Sequence, residues 1–130
     1  MIALASYSGQ NRRESLERHA RNIVSDVNGS RGDDGTLSFQ MYFPTDLDDD
    51  ADQSTCHLIE HYQNSTTAAA HLRNMQTYRN RNKVIHECAD IERLEVYGKA
   101  SPELKDILSE EAYMYSVVYF GPSDIGVTRG

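Results

Sequence analysis

The clearest pattern along the chain is an alternation of apolar and polar side chains over residues 36–43. Its apolar positions are Leu37, Phe39, Met41 and Phe43. A period of two predicts a β-strand with one apolar face and one polar face, and Tyr42 belongs to the polar face. Pro44 ends the predicted strand, because proline has no backbone N–H to donate.

Four further segments are rich in residues that favour strands. They span residues 2–8, 56–62, 91–97 and 113–120. Glycine or a polar turn follows each of them, which is the expected end of a strand. The sequence therefore predicts five strands.

Apolar side chains recur every three or four positions over residues 12–27, which predicts a first helix with one buried face. His19 lies near the edge of that apolar stripe, and we expect it to be solvated or hydrogen-bonded. A short later helix is predicted from Ser101, where a capping serine precedes a proline and an acidic residue.

Between these two helices, Asn64 and Ser65 supply side-chain oxygens that cap a helix, and an alanine triplet follows them. The predicted helix has His71, Met75 and Tyr78 on one side and continues or bends before residue 90. Together with residues 56–62, it forms a strand that turns into a helix.

The predicted order is β-α-β-β-α-β, followed by a short helix and a fifth strand. This is an α+β fold with the split β-α-β antiparallel sheet of ferredoxin-like proteins, here one domain over residues 1–130 with a tail over 121–130. Helices cover one face of such a sheet. We expect a second copy of the chain, a homodimer, to cover the other face.

Composition narrows the possible partners. Hydrophobic residues make up 38% of the 130 residues, and the net charge of -7 argues against nucleic acid as the partner. No apolar run approaches about 18 residues, so no membrane span is expected. The first residues lack the pattern of a signal peptide, which favours the cytoplasm, where Cys56 and Cys88 would be thiols.

Two polar segments invite functional hypotheses that their spacing does not support. The acidic residues of 46–52 lack the glycine and terminal glutamate of an EF-hand loop, so we expect a solvated loop. Residues 28–35 lack the Gly-Lys-Ser/Thr of a phosphate loop. His57 and His61 would lie about 13 Å apart along a strand, too far for one metal ion, and we expect no metal site.

Several stretches resemble antibiotic biosynthesis monooxygenase domains, the family that includes quinol monooxygenases. They are residues 35–42 (GTLSFQMY), 58–65 (LIEHYQNS), 70–72 (AHL), 95–98 (EVYG), 101–104 (SPEL) and 118–122 (VYFGP). The resemblance implies a dimeric α+β barrel that oxidises a phenolic, quinol-type or polycyclic aromatic molecule with O₂, without metal, haem or flavin. It also connects the chain with antibiotic or other secondary metabolism.

The chain departs from that family in three places. The loop over residues 46–52 is long and acidic, and Tyr78 stands where a phenylalanine is common. Haem-degrading relatives need a tryptophan near His71, and this chain contains none. These departures argue against haem chemistry and leave the substrate open.

A cofactor-free oxygenase needs a base that turns its substrate into an electron-rich anion. His71 is the candidate base, since imidazole titrates near neutrality, and Glu60 is the candidate to orient an imidazole or hold a proton. The candidate substrate-binding residues are Tyr42, Tyr62, Met75 and Tyr78.

Three alternatives stay open at this point. The chain could be a non-oxidative enzyme on the same fold, such as a polyketide cyclase, isomerase or decarboxylase. It could be a dimeric binding module for small molecules without chemistry. Glu60 and His71 could also form a structural hydrogen bond that ties the strand to the helix.

Overall fold

The predicted order of elements is confirmed by the computed structural model, which describes residues 1–11, 13–30, 35–43, 56–74, 89–110, 115–121 and 126. The strands are β1 (Ile2–Asn11), β2 (Thr36–Tyr42), β3 (Cys56–Tyr62), β4 (Ala89–Tyr97) and β5 (Ser116–Phe120). The helices are α1 (Arg13–Ser30), α2 (Ser65–Arg73) and α3 (Pro102–Ser109).

The five strands form one sheet in the order β2-β3-β1-β4-β5. β1 lies between β3 and β4 and is antiparallel to both, and β2 is antiparallel to β3. This is the predicted split β-α-β arrangement. β5 runs parallel to β4 at the other edge, so the complete sheet is mixed.

The helices cover one face of the sheet, here called the helix face. A first core cluster lies between this face and helices α2 and α3: Ile2, Leu4, Tyr62, Ala68, Leu72, Leu94, Val96, Leu104, Leu108 and Tyr115. A second cluster lies under α1, where Leu16 and Cys56 are packed by Met41 and Phe43. Each fully buried large side chain stabilises the fold by about 1.5–3 kcal/mol.

The start of α2 is held by two sets of hydrogen bonds. The Asn64 side chain accepts from the backbone N–H of Thr67, and the Thr67 hydroxyl is bonded in return to the backbone of Asn64. Ser65 Oγ accepts from the backbone N–H of Ser101 at 2.8 Å and donates to Ser101 Oγ at 2.9 Å. These bonds join α2 to the start of α3 and set the position of His71 on α2.

Two predicted features are wrong. Leu37 does not lie on the buried side of β2 but is 57% exposed, because the pairing with β3 shifts register between Thr36 and Ser38. Such a bulge inserts an extra residue and reverses the side-chain alternation before it. In addition, α2 ends at Arg73, because the backbone of Asn74 has a ψ of 126°, outside the helical region.

Several sequence predictions lie outside the described residues. They concern the acidic loop 46–52, the positions of Met75 and Tyr78, Cys88, and the tail apart from residues 121 and 126. Cys56 is buried. Within the described part of the chain, no helix has the length and apolar character needed to cross a membrane.

Candidate active site

Glu60 is a buried carboxylic acid in the middle of the helix face. β3 places it opposite Leu4 of β1 and Phe39 of β2, and its residue exposure is 3%. The Tyr62 hydroxyl donates to Glu60 Oε1 at 2.8 Å. Among the described residues, no group donates to Glu60 Oε2. A buried carboxyl oxygen without a donor is costly, so this atom is suited to accept from a bound molecule.

His71 approaches this carboxyl group through Tyr62. The two aromatic rings lie 5.2 Å apart between centroids, tilted by 49°, and both side chains are buried. The hydrogen bond of Glu60 joins it to Tyr62 on its own strand, so it does not tie β3 to α2. Tyr62 therefore links the carboxyl group to the imidazole by one hydrogen bond and one ring contact.

The structure does not bring Tyr42 to this group. Along β2, Phe39 and Met41 pair on the helix-face side with Glu60 and Leu58, whereas Tyr42 pairs with the exposed His57. The Tyr42 hydroxyl donates to Gln40 at 2.6 Å, and the residue is 49% exposed. A substrate-binding role for Tyr42 would therefore need a ligand on the other face of the sheet. Met75 and Tyr78 lie outside the described residues.

Two further polar residues are buried on the helix side, and the sequence did not single out either as functional. Ser6 on β1 and His19 on α1 have exposures of 4% and 8%. In the part of the chain that is described, neither Ser6 Oγ nor His19 Nδ1 has a hydrogen-bond partner. Of the two expected states of His19, solvated or hydrogen-bonded, the solvated one is wrong, because the spacing from Leu16 and Ile23 places His19 on the buried stripe of α1.

The opposite side of the sheet, here called the outer face, holds a second buried carboxylate. Glu95 Oε1 accepts from the Tyr97 hydroxyl at 2.8 Å, and Oε2 lies 3.5 Å from Arg93 Nε. Tyr7 is also hydrogen-bonded to Glu95, and the Arg93 guanidinium lies over its ring at 4.8 Å. These contacts satisfy the carboxylate from several sides.

Hydrogen bonding in this group favours an ionised carboxylate and neutral phenols. The bonds from Tyr97 and then Tyr7 lower the pKa of Glu95. The hydrogen bond between Tyr97 and Glu95 is the main cause that raises the pKa of Tyr97 to about 12. The hydrogen bond between Tyr7 and Glu95 is likewise the main cause that raises the pKa of Tyr7. The group is therefore a stable ion pair with two donors.

Aromatic rings extend this group across four strands. Tyr97 stacks on Phe120 with 5.0 Å between ring centroids, and Tyr7 makes an edge contact with His57 at 4.7 Å. His61 lies on the same face, with Nδ1 2.7 Å from Ser38 Oγ. The described residues contain no group of three or more His, Cys, Asp or Glu side chains placed to hold a metal ion.

A cleft of about 750 Å³ opens at the start of β1, beside the starts of α2 and of the turn after β4. His61, Tyr97 and Lys99 are among its lining residues. Glu60, Tyr62 and His71 do not line it. The cleft is thus separate from the buried carboxyl group on the helix face.

The fold is shared with solved structures of low sequence identity. MupZ from Pseudomonas fluorescens has a TM-score of 0.59 at 17% identity, covering 98% of this chain and 94% of that one. A candidate antibiotic biosynthesis monooxygenase from Nitrosomonas europaea has a TM-score of 0.55 at 20% identity, covering 78% and 100%. Another from Deinococcus radiodurans has a TM-score of 0.54 at 15% identity, covering 78% and 94%.

No protein-family model and no curated protein matches the sequence. The likeness is therefore one of fold. This chain has the ferredoxin-like α+β fold of the antibiotic biosynthesis monooxygenase-like proteins.

Proposed function

We propose that this chain is a cofactor-independent monooxygenase that oxidises a phenolic, quinol-type or polycyclic aromatic molecule with O₂ in antibiotic or other secondary metabolism. The observation that carries the proposal is Glu60 Oε2, a buried acceptor without a donor among the described residues, next to the Tyr62–His71 pair. The fold shared with candidate monooxygenases supports the same class of reaction.

The arrangement suits the first step of such a reaction. A substrate hydroxyl donates to Glu60 Oε2 and loses its proton, which leaves an electron-rich phenolate that can pass electrons to O₂. His71 is the second proton carrier. Tyr62 positions the Glu60 carboxyl group relative to the His71 imidazole, since it contacts both. Met75 and Tyr78 remain predicted substrate contacts.

The overall change balances without another reductant. For a phenol with a free para position, phenol plus O₂ gives a para-quinone plus water. One oxygen atom becomes the new carbonyl, and the other leaves as water with the hydroxyl and ring hydrogens. The substrate supplies all four electrons that reduce O₂.

Oxygen uptake tests this proposal. We expect dialysed, chelator-treated enzyme to consume one O₂ per molecule of substrate in a panel of para-unsubstituted phenols, quinols and anthrones. Turnover that proceeds equally without O₂ would instead identify a cyclase, isomerase or decarboxylase. Tight binding without turnover would identify a binding module. Independence from metal stays a prediction that the chelator treatment tests, and independence from haem and flavin stays a prediction that the visible absorption spectrum of the active enzyme tests. The cytoplasmic location also stays a prediction.

We also propose that a second copy covers the outer face. Tyr97, Val118 and Phe120 expose between 37% and 42% of their surface there, beside the aromatic contacts described above. An apolar sheet face of this kind is stabilised by burial against a partner. We expect light scattering to give twice the chain mass, and Phe120→Lys to give the monomer. Val24→Lys, at an exposed apolar position on α1, is the matched control and should stay dimeric.

A further inference from the structure

We infer that Ser6 and His19, together with Glu60, bind a second oxygen of the substrate, so that the site selects aromatic molecules with oxygens on neighbouring positions. The inference rests on the proposed function and concerns the same site. It assigns binding roles to two buried residues, one on β1 and one on α1.

Three buried side chains from three different elements share one property. Ser6, His19 and Glu60 are each at most 8% exposed. Each has a polar atom, Oγ, Nδ1 and Oε2 respectively, that lacks a hydrogen-bond partner in the described part of the chain. One such atom is unusual in a protein interior, and three on the same side of one sheet are suited to hydrogen-bond a ligand.

Register places Ser6 beside Glu60. Leu4 pairs with Glu60 and Ser6 pairs with Leu58, so Ser6 and Glu60 are diagonal neighbours on the helix face. Diagonal positions of an antiparallel pair lie roughly 7–8 Å apart between Cα atoms. A ligand oxygen bonded to each side chain fits in that distance, because the glutamate side chain is long and the serine side chain is short.

Helix geometry places His19 at the same level. Leu16 packs on Cys56, Met41 and Phe43, at the end of the sheet where β1 leads into α1. Because α1 returns from β1 to start the parallel strand β2, it runs opposite to β1. His19 therefore lies about 4.5 Å further back along the sheet, three residues along the helix from Leu16, near the level of Leu58 and of Ser6, which pairs with Leu58.

The three atoms complement a particular pair of groups. Glu60 Oε2 accepts from a substrate hydroxyl. The Ser6 hydroxyl and His19 Nδ1, in the tautomer that carries the proton there, donate to the neighbouring oxygen. A substrate with one hydroxyl satisfies Glu60 alone, whereas a substrate with two adjacent oxygens satisfies all three atoms.

Binding of two matched probes tests this assignment without any need for turnover. We expect 2,3-dihydroxynaphthalene to bind at least about tenfold more tightly than 2-naphthol in titration calorimetry, since one or two more hydrogen bonds form. Ser6→Ala and His19→Leu should each reduce that ratio towards one and leave the affinity for 2-naphthol nearly unchanged. Ser25→Ala, at an exposed serine of α1, should keep the ratio.

A second readout does not depend on any variant. The ring nitrogens of His19 should shift in ¹⁵N spectra when 2,3-dihydroxynaphthalene binds and shift less with 2-naphthol. Equal affinities for the two probes, no binding of either, or a ratio unchanged in both variants would overturn the inference and assign the three atoms to ordered water. Selective binding of 2,3-dihydroxynaphthalene, together with no O₂ uptake on any member of the panel of phenols, quinols and anthrones, would instead overturn the proposed function alone.

Discussion

The two faces of the sheet carry the same local motif in opposite states. Glu60 and Tyr62 on β3, and Glu95 and Tyr97 on β4, are glutamates followed two residues later by a tyrosine that donates to Oε1 at 2.8 Å. On the outer face, Arg93 and Tyr7 satisfy the rest of the carboxylate. On the helix face, no described residue donates to Oε2 of Glu60.

The two carboxylates differ in their surroundings and not in the motif itself. On the outer face, both oxygens of the Glu95 carboxylate have partners, because the Arg93 guanidinium and the phenols of Tyr7 and Tyr97 surround it. The helix-face group is open to one more donor and lies within the interior, where an unsatisfied acceptor costs the most. This difference supports the proposed chemistry at Glu60, and we propose that Glu95 positions aromatic rings.

The largest expected effect comes from exchanging each carboxylate for its amide. Glu60→Gln should lower kcat for O₂ uptake by about 100-fold to 10,000-fold, because the amide cannot accept the substrate proton. Glu95→Gln, the same change in the same motif, should leave kcat within about threefold. Equal losses in the two variants would show that Glu60 has no special role in the reaction.

A smaller effect is expected from removing each phenol. Tyr62→Phe should lower the free energy of unfolding by about 1–3 kcal/mol, since it leaves a buried carboxyl group without its donor. Tyr97→Phe should cost less, because Tyr7 and Arg93 still satisfy Glu95 and the ring is partly exposed. Urea unfolding of both variants measures this difference, and a larger loss in Tyr97→Phe would contradict it.

The smallest effect is in the pH dependence of stability. The depressed pKa of Glu95 contributes stability that is complete above its ordinary value of 4.5 and is lost as the pH falls through the folded-state pKa. The pKa of Tyr97, raised from 10.0 to about 12, contributes stability that is complete below pH 10 and is lost as the pH rises to about 12. A plot of the urea unfolding midpoint against pH should therefore be flatter at both ends for Glu95→Gln than for the unchanged protein. Identical curves would argue against the pairing of Glu95 with Tyr97.

Much of the fold follows from local signals in the sequence. Alternation, capping residues and turn glycines predicted the order of the described elements, because each signal acts within a few residues. The bulge at Leu37 was not predictable in this way, since the alternation continues through it and the register is set by pairing with β3. The end of α2 at Arg73 was missed because the sequence has no glycine or proline there.

The candidate site was predictable only in part. Glu60 and His71 follow from the strand that turns into a helix, and the alternation of β2 already places Tyr42 on the face opposite Phe39. His19 could have been found from its spacing to Leu16 and Ile23. The difference between Glu60 and Glu95 could not have been found from the sequence, because it depends on whether residues of other strands, such as Tyr7, reach the carboxylate.

A crystal structure with 2,3-dihydroxynaphthalene bound tests most directly the claim that Glu60 on the helix face is the reactive carboxylate. We expect a ligand oxygen within about 3 Å of Glu60 Oε2, at hydrogen-bond distance, and no ligand at Glu95. A ligand that binds on the outer face beside Glu95, with only ordered water at Glu60 Oε2, would contradict it.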